Sequence, residues 1–417
     1  MNEYTRTVSF ILNTKKCNKM KDLIWMSFLG KKHKQIYKLK IALLNAPCYG
    51  FGDVIFAQKL KQYLLQWYNC SVKIFTTLPD YHKKLGEKSS NLIPAVINRE
   101  NQCRRFTNLK FDGEESKKFD LYLVAPLVQE YEPALSKIKN TFKYSNKYNT
   151  FFFSEYNSGI IRNFDFPTGI GKGRYGLLLT QVKPSPRIIT NPYAFMYIAS
   201  GDHIPNSKKC YSSFLDMIVS KYEYNNFEIV APDWIIQQIL SAEYDCSRIL
   251  KIYSNIIVVT KSNKHVIHQG IGRTITFRGD IFPVANRDML SLMKYSVRDI
   301  LVTGDQSMTD VLSCCGAKNM FYQIAPWKAS LGRQLGRKLP NEFLLRKKTS
   351  CGSLTAIKYK SDYKKFIEDW DFRRLAKPKL DAICMSICAA KHDQRFLELR
   401  EIINTKRKLK TLKHVLR

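Results

Sequence analysis

From Lys40 onward, short apolar runs alternate with longer stretches whose apolar positions recur at helical spacing. KIALLNA (40–46) reads as a strand, FAQKLKQYLLQW (56–67) as a helix and SVKIFTT (71–77) as a second strand. DLYLVAP (120–126), TFFFSEYN (150–157) and YGLLLTQV (175–182) are each compatible with a buried strand. The alternation stops at VKPSPRIITNP (182–192), which carries three prolines and no helical period. It then restarts: YAFMYIA, FEIVAP, NIIVVT, RTITFRG, DILVTG and NMFYQIAP predict strands, while YSSFLDMIVSKY, NRDMLSLMKYS and SMTDVLSCCGA predict helices. Strands bracketed by helices at this spacing predict parallel sheets covered on both faces.

The pattern gives an α/β protein with two Rossmann-like open-sheet domains facing a cleft. Its divisions are an N-terminal extension (1–39), a first domain (40–183), a linker (184–192), a second domain (193–375) and a basic C-terminal helical segment (376–417). In that last segment Phe396, Leu399, Ile402, Ile403, Leu409, Leu412 and Leu416 fall close to one helical face. A length of 417 residues with 45% hydrophobic content agrees with two cores rather than one.

Charge changes the picture of partners. Lys and Arg number 68 against 35 Asp and Glu, a net charge of +33, which favours phosphates, acidic acceptors or peripheral contact with anionic membrane. The basic residues are spread through both halves, with no helix-turn-helix, zinc finger or RNA-binding aromatic motif, so no specific nucleic acid is expected. The eleven cysteines are scattered without a Cys-x-x-Cys pair, and no run approaches the ~20 apolar residues of a membrane span. A cytoplasmic protein with reduced cysteines is the expectation.

Two turns carry candidate chemistry. Gly50-Phe51-Gly52-Asp53 joins a strand to a helix; its glycines permit a sharp turn and close approach of backbone to a ligand. Ile55 breaks the Gly-x-Gly-x-x-Gly pattern and no Lys-Ser/Thr follows, which removes support for a dinucleotide dehydrogenase or a P-loop NTPase. Asp53 also fits an acid stabilised by the dipole of its own helix. Val302-Thr303-Gly304-Asp305-Gln306-Ser307 is again a turn between strand and helix, where Gly304, the Ser307 hydroxyl and the first helix amides suit a diphosphate. Helix capping by Asp305 or Ser307 is the plainer reading. Arg278, in Arg278-Gly279-Asp280 at a strand end, is a third candidate for phosphate contact. Gly169, Gly171 and Gly173 suggest a flexible loop beside the cleft, and His265 and His268 lack a third metal ligand nearby.

Taken together, the Gly-x-Gly-Asp turn early and the Gly-Asp-x-Ser turn late resemble a GT-B glycosyltransferase. Within that fold the chain is similar to the bacterial protein-arginine rhamnosyltransferases that modify a translation elongation factor. Their opening Asn-Tyr-Gly-Asp-like turn corresponds to Tyr49, Gly50, Phe51, Gly52 and Asp53. Their Arg-Gly-Glu-Asp-Ser motif corresponds to Thr303, Gly304, Asp305, Gln306 and Ser307, with Thr303 in place of Arg and Asp305 in place of Glu. The resemblance implies metal-independent, inverting transfer of a sugar from a nucleoside-diphosphate sugar to an acceptor glycan or protein, with Asp53 as base. Gly52, Arg278, Gly304, Asp305, Gln306 and Ser307 then bind the donor, and no separate cofactor is required. A nucleic-acid-binding protein, or a nucleotide-sugar epimerase or hydrolase on the same plan, stands as the alternative.

Overall fold

A computed structural model describes residues 38–47, 51–97, 109–111, 118–127, 142, 144–200, 202, 204, 206–316, 318–338, 354–357 and 364–391. The first strand, β1 (Leu39–Asn45), is apolar on both of its faces and buried at all but one position, as a central parallel strand must be. It leads into α1 (Gly52–Trp67), β2 (Cys70–Thr76), the short helix α2 (Pro79–Lys84), β3 (Leu92–Ile97), β4 (Leu109–Phe111), β5 (Leu121–Leu127) and β6 (Thr150–Ser154). These strands form one sheet in the order β4-β3-β2-β1-β5-β6, parallel except for β4.

The second sheet begins with β7 (Tyr193–Tyr197), followed by α3 (Ser207–Lys221), β8 (Asn226–Val230), α4 (Asp233–Leu240), α5 (Ser247–Leu250), β9 (Asn255–Val259), β10 (Lys264–His268) and β11 (Thr274–Arg278). It continues through α6 (Asn286–Tyr295), β12 (Asp299–Thr303), α7 (Asp305–Cys314), β13 (Asn319–Gln323), α8 (Ala329–Lys338) and β14 (Leu354–Ile357). The order is β10-β9-β11-β8-β7-β12-β13-β14, parallel except at the edge strands β10 and β14. The α/β architecture with two open, mainly parallel sheets is therefore the one the hydrophobic pattern predicts.

Each strand distributes its side chains between two cores, because successive residues point to opposite faces. Leu39, Ile41 and Leu43 of β1 join a cluster shared with the second sheet, whereas Ala42 and Leu44 pack outward with Phe75, Tyr122 and Phe152. The shared cluster runs through α1, β12, α7 and α8. Helix α9 (Lys364–Asp369) is followed by a final described helix, α10 (372–391), which crosses the boundary expected at 375. This helix returns to the first sheet: Phe372 packs on Tyr63 and Phe153, the Tyr68 hydroxyl donates to Asp381 at 2.8 Å, and Lys379 donates to the Asp165 carbonyl at 2.6 Å. The apolar face expected from Phe396 to Leu416, and most of the N-terminal extension, lie outside the described residues.

Two local expectations change. YGLLLTQV forms no strand; its Leu177–Leu179 portion is buried in the cluster shared by the two sheets, and side chains serve part of its backbone. The Leu178 amide donates to the Tyr156 hydroxyl at 2.8 Å, and the Thr180 amide donates to Ser313 Oγ at 3.2 Å. The glycine-rich loop is packed rather than free: Asn157 exchanges hydrogen bonds with Ile170 at 2.7 and 2.9 Å, and a Cβ on Gly169 would stand 2.2 Å from Asn157 Oδ1. The polar stretch holding His265 and His268 forms edge strand β10, where His268 Nδ1 lies 2.8 Å from the Ser254 carbonyl.

Candidate functional site at two switch points

In an open parallel sheet a ligand crevice forms where neighbouring strands send their connections in opposite directions. In the first sheet that point lies between β1 and β5, since β2 and β3 extend one way and β5 and β6 the other. In the second it lies between β7 and β12, with β8, β11 and β9 on one side and β13 on the other. The Asp53 turn leaves β1 and the Gly304–Ser307 turn leaves β12. Both turns singled out by residue type thus stand at the switch point of their own sheet.

The first turn is anchored by Asn45, buried at the end of β1. Its Nδ2 donates to the Ala125 carbonyl on β5 at 2.9 Å and to the Asp53 carbonyl at 3.2 Å. Its Oδ1 lies 2.9 Å from His82 Nε2 on α2. Phe51, just before the helix, stacks on Tyr81 of α2 with ring centroids 4.7 Å apart. Gly52 is exposed and Asp53 half-buried in the first turn of α1, and no side chain caps that helix. Tyr49 and Gly50 lie outside the described residues.

The second turn holds Gly304 at φ +79°, in the left-handed region that favours glycine. Gly304 is exposed, and a Cβ there would meet nothing within 4 Å. The amides of Asp305, Gln306 and Ser307 precede the first bond of α7, from Met308 N to Gly304 O, and no side chain caps them. The alternative reading, capping by Asp305 or Ser307, finds no capping bond here. Ser307 is half-buried; Gln306 is buried beside the Tyr156 hydroxyl, with its Oε1 unpaired.

Asp305 turns inward, toward Lys328. One carboxylate oxygen takes a hydrogen bond from Lys328 Nζ at 2.6 Å, and Lys328 also pairs with Glu155 just beyond β6. Burial raises the Asp305 carboxyl above its ordinary range, with Lys328 pulling it down and Glu155 pushing it up. Burial alone would lower the Lys328 ammonium, but the two carboxylates hold it above its usual value. The cluster joins the first sheet to the second at the mouth of α7. Arg278 is likewise committed, to Glu228 at 2.7 Å and Asp280 at 2.8 Å. Among the described residues it makes no hydrogen bond to the Gly304–Ser307 turn.

A buried ion pair couples the helices that leave the two turns. Lys59 Nζ on α1 lies 2.6 Å from Asp310 Oδ1 and 3.3 Å from Thr309 Oγ1 on α7. Lys59 is six residues beyond Asp53 and Asp310 five beyond Asp305, so each turn is about 8 to 9 Å along its helix from this contact. Glu155, Lys328, Lys59 and Asp310 carry no motif; their sequence separations of 173 and 251 residues hide the pairing. Among the described residues no group of three His, Cys, Asp or Glu could hold a metal ion.

No protein-family model and no curated protein matches the sequence. Among solved structures, an alpha-glucosyltransferase in complex with UDP and a 13-mer DNA containing an HMU base aligns at 10% identity and a TM-score of 0.41, over 88% of this chain and 100% of its own. A protein assigned as a UDP-N-acetylglucosamine 2-epimerase, from Listeria monocytogenes, aligns at 10% identity and a TM-score of 0.42, over 84% and 90%. A family 9 glycosyl transferase from Veillonella parvula aligns at 10% identity and a TM-score of 0.37, over 70% and 81%. Similarity at this level assigns neither activity nor site residues.

Proposed function

We propose that this chain is a GT-B-type glycosyltransferase, moving a sugar from a nucleoside-diphosphate sugar to an acceptor. The observation that carries the reading is the placement of both glycine turns at the switch points of two facing parallel sheets, on helices that touch. Acid chemistry is available on one turn and uncapped helix amides on the other.

In the proposed step the acceptor attacks the anomeric carbon while Asp53 takes its proton, and the bond from that carbon to the diphosphate oxygen breaks. A single displacement of this kind inverts the anomeric centre. The departing diphosphate is met by the amides of residues 305–307 and the Ser307 hydroxyl, with Gly304 leaving room for its approach. Gly52 leaves similar room for the donor beside Asp53. Asp305 serves the donor indirectly, by fixing Lys328 beside the mouth of α7, and Gln306 lines the wall toward Tyr156. Arg278 contributes to the outer rim of the donor domain. Thr303 and Asp305 replace residue types that the rhamnosyltransferase motif requires, so neither its sugar nor its acceptor is carried over.

A thermal-shift screen of nucleoside diphosphates and their sugars tests this reading, because a ligand of the native state raises apparent stability. We expect one base family to stabilise the chain. Asp53→Asn should keep that shift and lower transfer by roughly 10² to 10⁴-fold. Ser307→Ala should weaken nucleotide affinity by about tenfold, the loss of one hydrogen bond to a charged group. Unchanged turnover in Asp53→Asn would remove Asp53 as base. Salt-sensitive oligonucleotide binding without any nucleotide response would favour the nucleic-acid alternative.

A further inference from the structure

We propose that Asn45 and His82 are positioning residues that clamp the Asp53 turn onto the end of β1. The inference rests on the base role proposed for Asp53, and it comes from contacts that link β1, β5 and α2 to the Phe51–Asp53 segment. Asn45 is 1% exposed, and both of its amide donors face carbonyls, at Ala125 and at Asp53. Its Oδ1 therefore faces His82 Nε2, and a hydrogen bond there requires the imidazole to donate. Donation through Nε2 fixes the tautomer and leaves Nδ1 as a buried acceptor without a partner.

Helix α2 holds the same turn at a second point. Tyr81 stacks on Phe51, two residues before Asp53, while the neighbouring His82 holds Asn45. Gln58 Nε2 donates to the His82 carbonyl at 3.2 Å, fastening α2 to α1. The charged groups facing the ring are Lys61 of α1 and Glu87 after α2, themselves paired at 2.7 Å. Here the β1–β5 switch point, the first turn of α1 and α2 meet at a single asparagine side chain.

The test uses the full chain and two readouts. In the first, nucleoside diphosphate release is followed from a panel of UDP-, GDP-, ADP- and dTDP-sugars, with folding checked by circular dichroism. Asn45→Ala should lower kcat on the order of 10²-fold with donor KM nearly unchanged, since a shift of about 1 Å in a reacting group has that cost. His82→Gln, which keeps a donor near the Nε2 position, should restore most of the rate lost in His82→Leu. An unaltered kcat in folded Asn45→Ala, or equal losses in His82→Gln and His82→Leu, overturns the clamp. If the wild-type chain, which has no acceptor in this assay, releases nothing from any donor, the clamp is judged by the second readout. That readout is ¹⁵N imidazole NMR. His82 should show a neutral ring protonated at Nε2 whose resonance moves in Asn45→Ala. A ring protonated at Nδ1, or one indifferent to Asn45→Ala, overturns it.

Discussion

At the scale of single residues, the chemistry is set by which polar groups are buried and what they face. His82 is fully buried, and desolvation, opposed by Glu87 and reinforced by Lys61, pushes its imidazole down to about 4. Between pH 6.5 and about 4 the unfolded chain takes up a proton at this residue that the native state refuses. Stability therefore falls as pH falls through that window, by roughly 3 kcal/mol in all. Urea unfolding of the wild type and of His82→Gln from pH 7 to pH 4 should show the wild type losing more, because only it carries this titration. Parallel curves would mean that His82 titrates alike in both states. Asp53 and Gly304 were legible as candidates from residue type and spacing alone. The inward turn of Asp305 was not, because Lys328 meets it only after β13 has brought the chain back beside α7.

At the scale of elements, α1 and α7 form the joint between the sheets. Their Lys59–Asp310 pair is only 3% exposed on both sides, and burial raises the Asp310 carboxyl against the pull of Lys59. Removing one partner strands a charge in an apolar interface. Asp310→Ala or Lys59→Met alone should cost about 3 to 5 kcal/mol, read from the denaturant midpoint. The double variant Lys59→Met/Asp310→Leu should recover most of that loss, since paired apolar side chains of similar volume often match a buried ion pair. Failure of the double variant to recover would show that the pair contributes more than mutual neutralisation. Helix and strand identities along this joint followed from periodicity. YGLLLTQV misled because burial on all sides makes a strand and a buried connecting segment look alike in sequence.

At the scale of the whole molecule, the two sheets share a hydrophobic cluster that runs from β1 through α1, α7 and α8 to α10. Helix α10 follows the second sheet in sequence and packs on the first, with Phe372 against Tyr63 and Phe153. A division into independently melting domains would have to open this cluster. Calorimetry of the full chain should accordingly give a single transition, with van't Hoff and calorimetric enthalpies in agreement. Two resolved transitions would show that the shared cluster does not couple the sheets. Among the described residues no helix is long and apolar enough to cross a membrane. The surplus of +33 predicts attraction to anionic surfaces that weakens as salt shortens the screening length.

Sequence alone determined the α/β class, the two sheets, the glycine turns and the order of most elements. Those features depend on local periodicity, turn chemistry and backbone freedom, all of which operate within a few residues. Only the tertiary structure decided that both turns occupy switch points, that Lys328 and Glu155 claim Asp305, and that Asn45 and His82 grip the Asp53 turn. Strand order and buried pairing bring together residues tens to hundreds of positions apart, and no local pattern encodes which distant partner a polar side chain will meet.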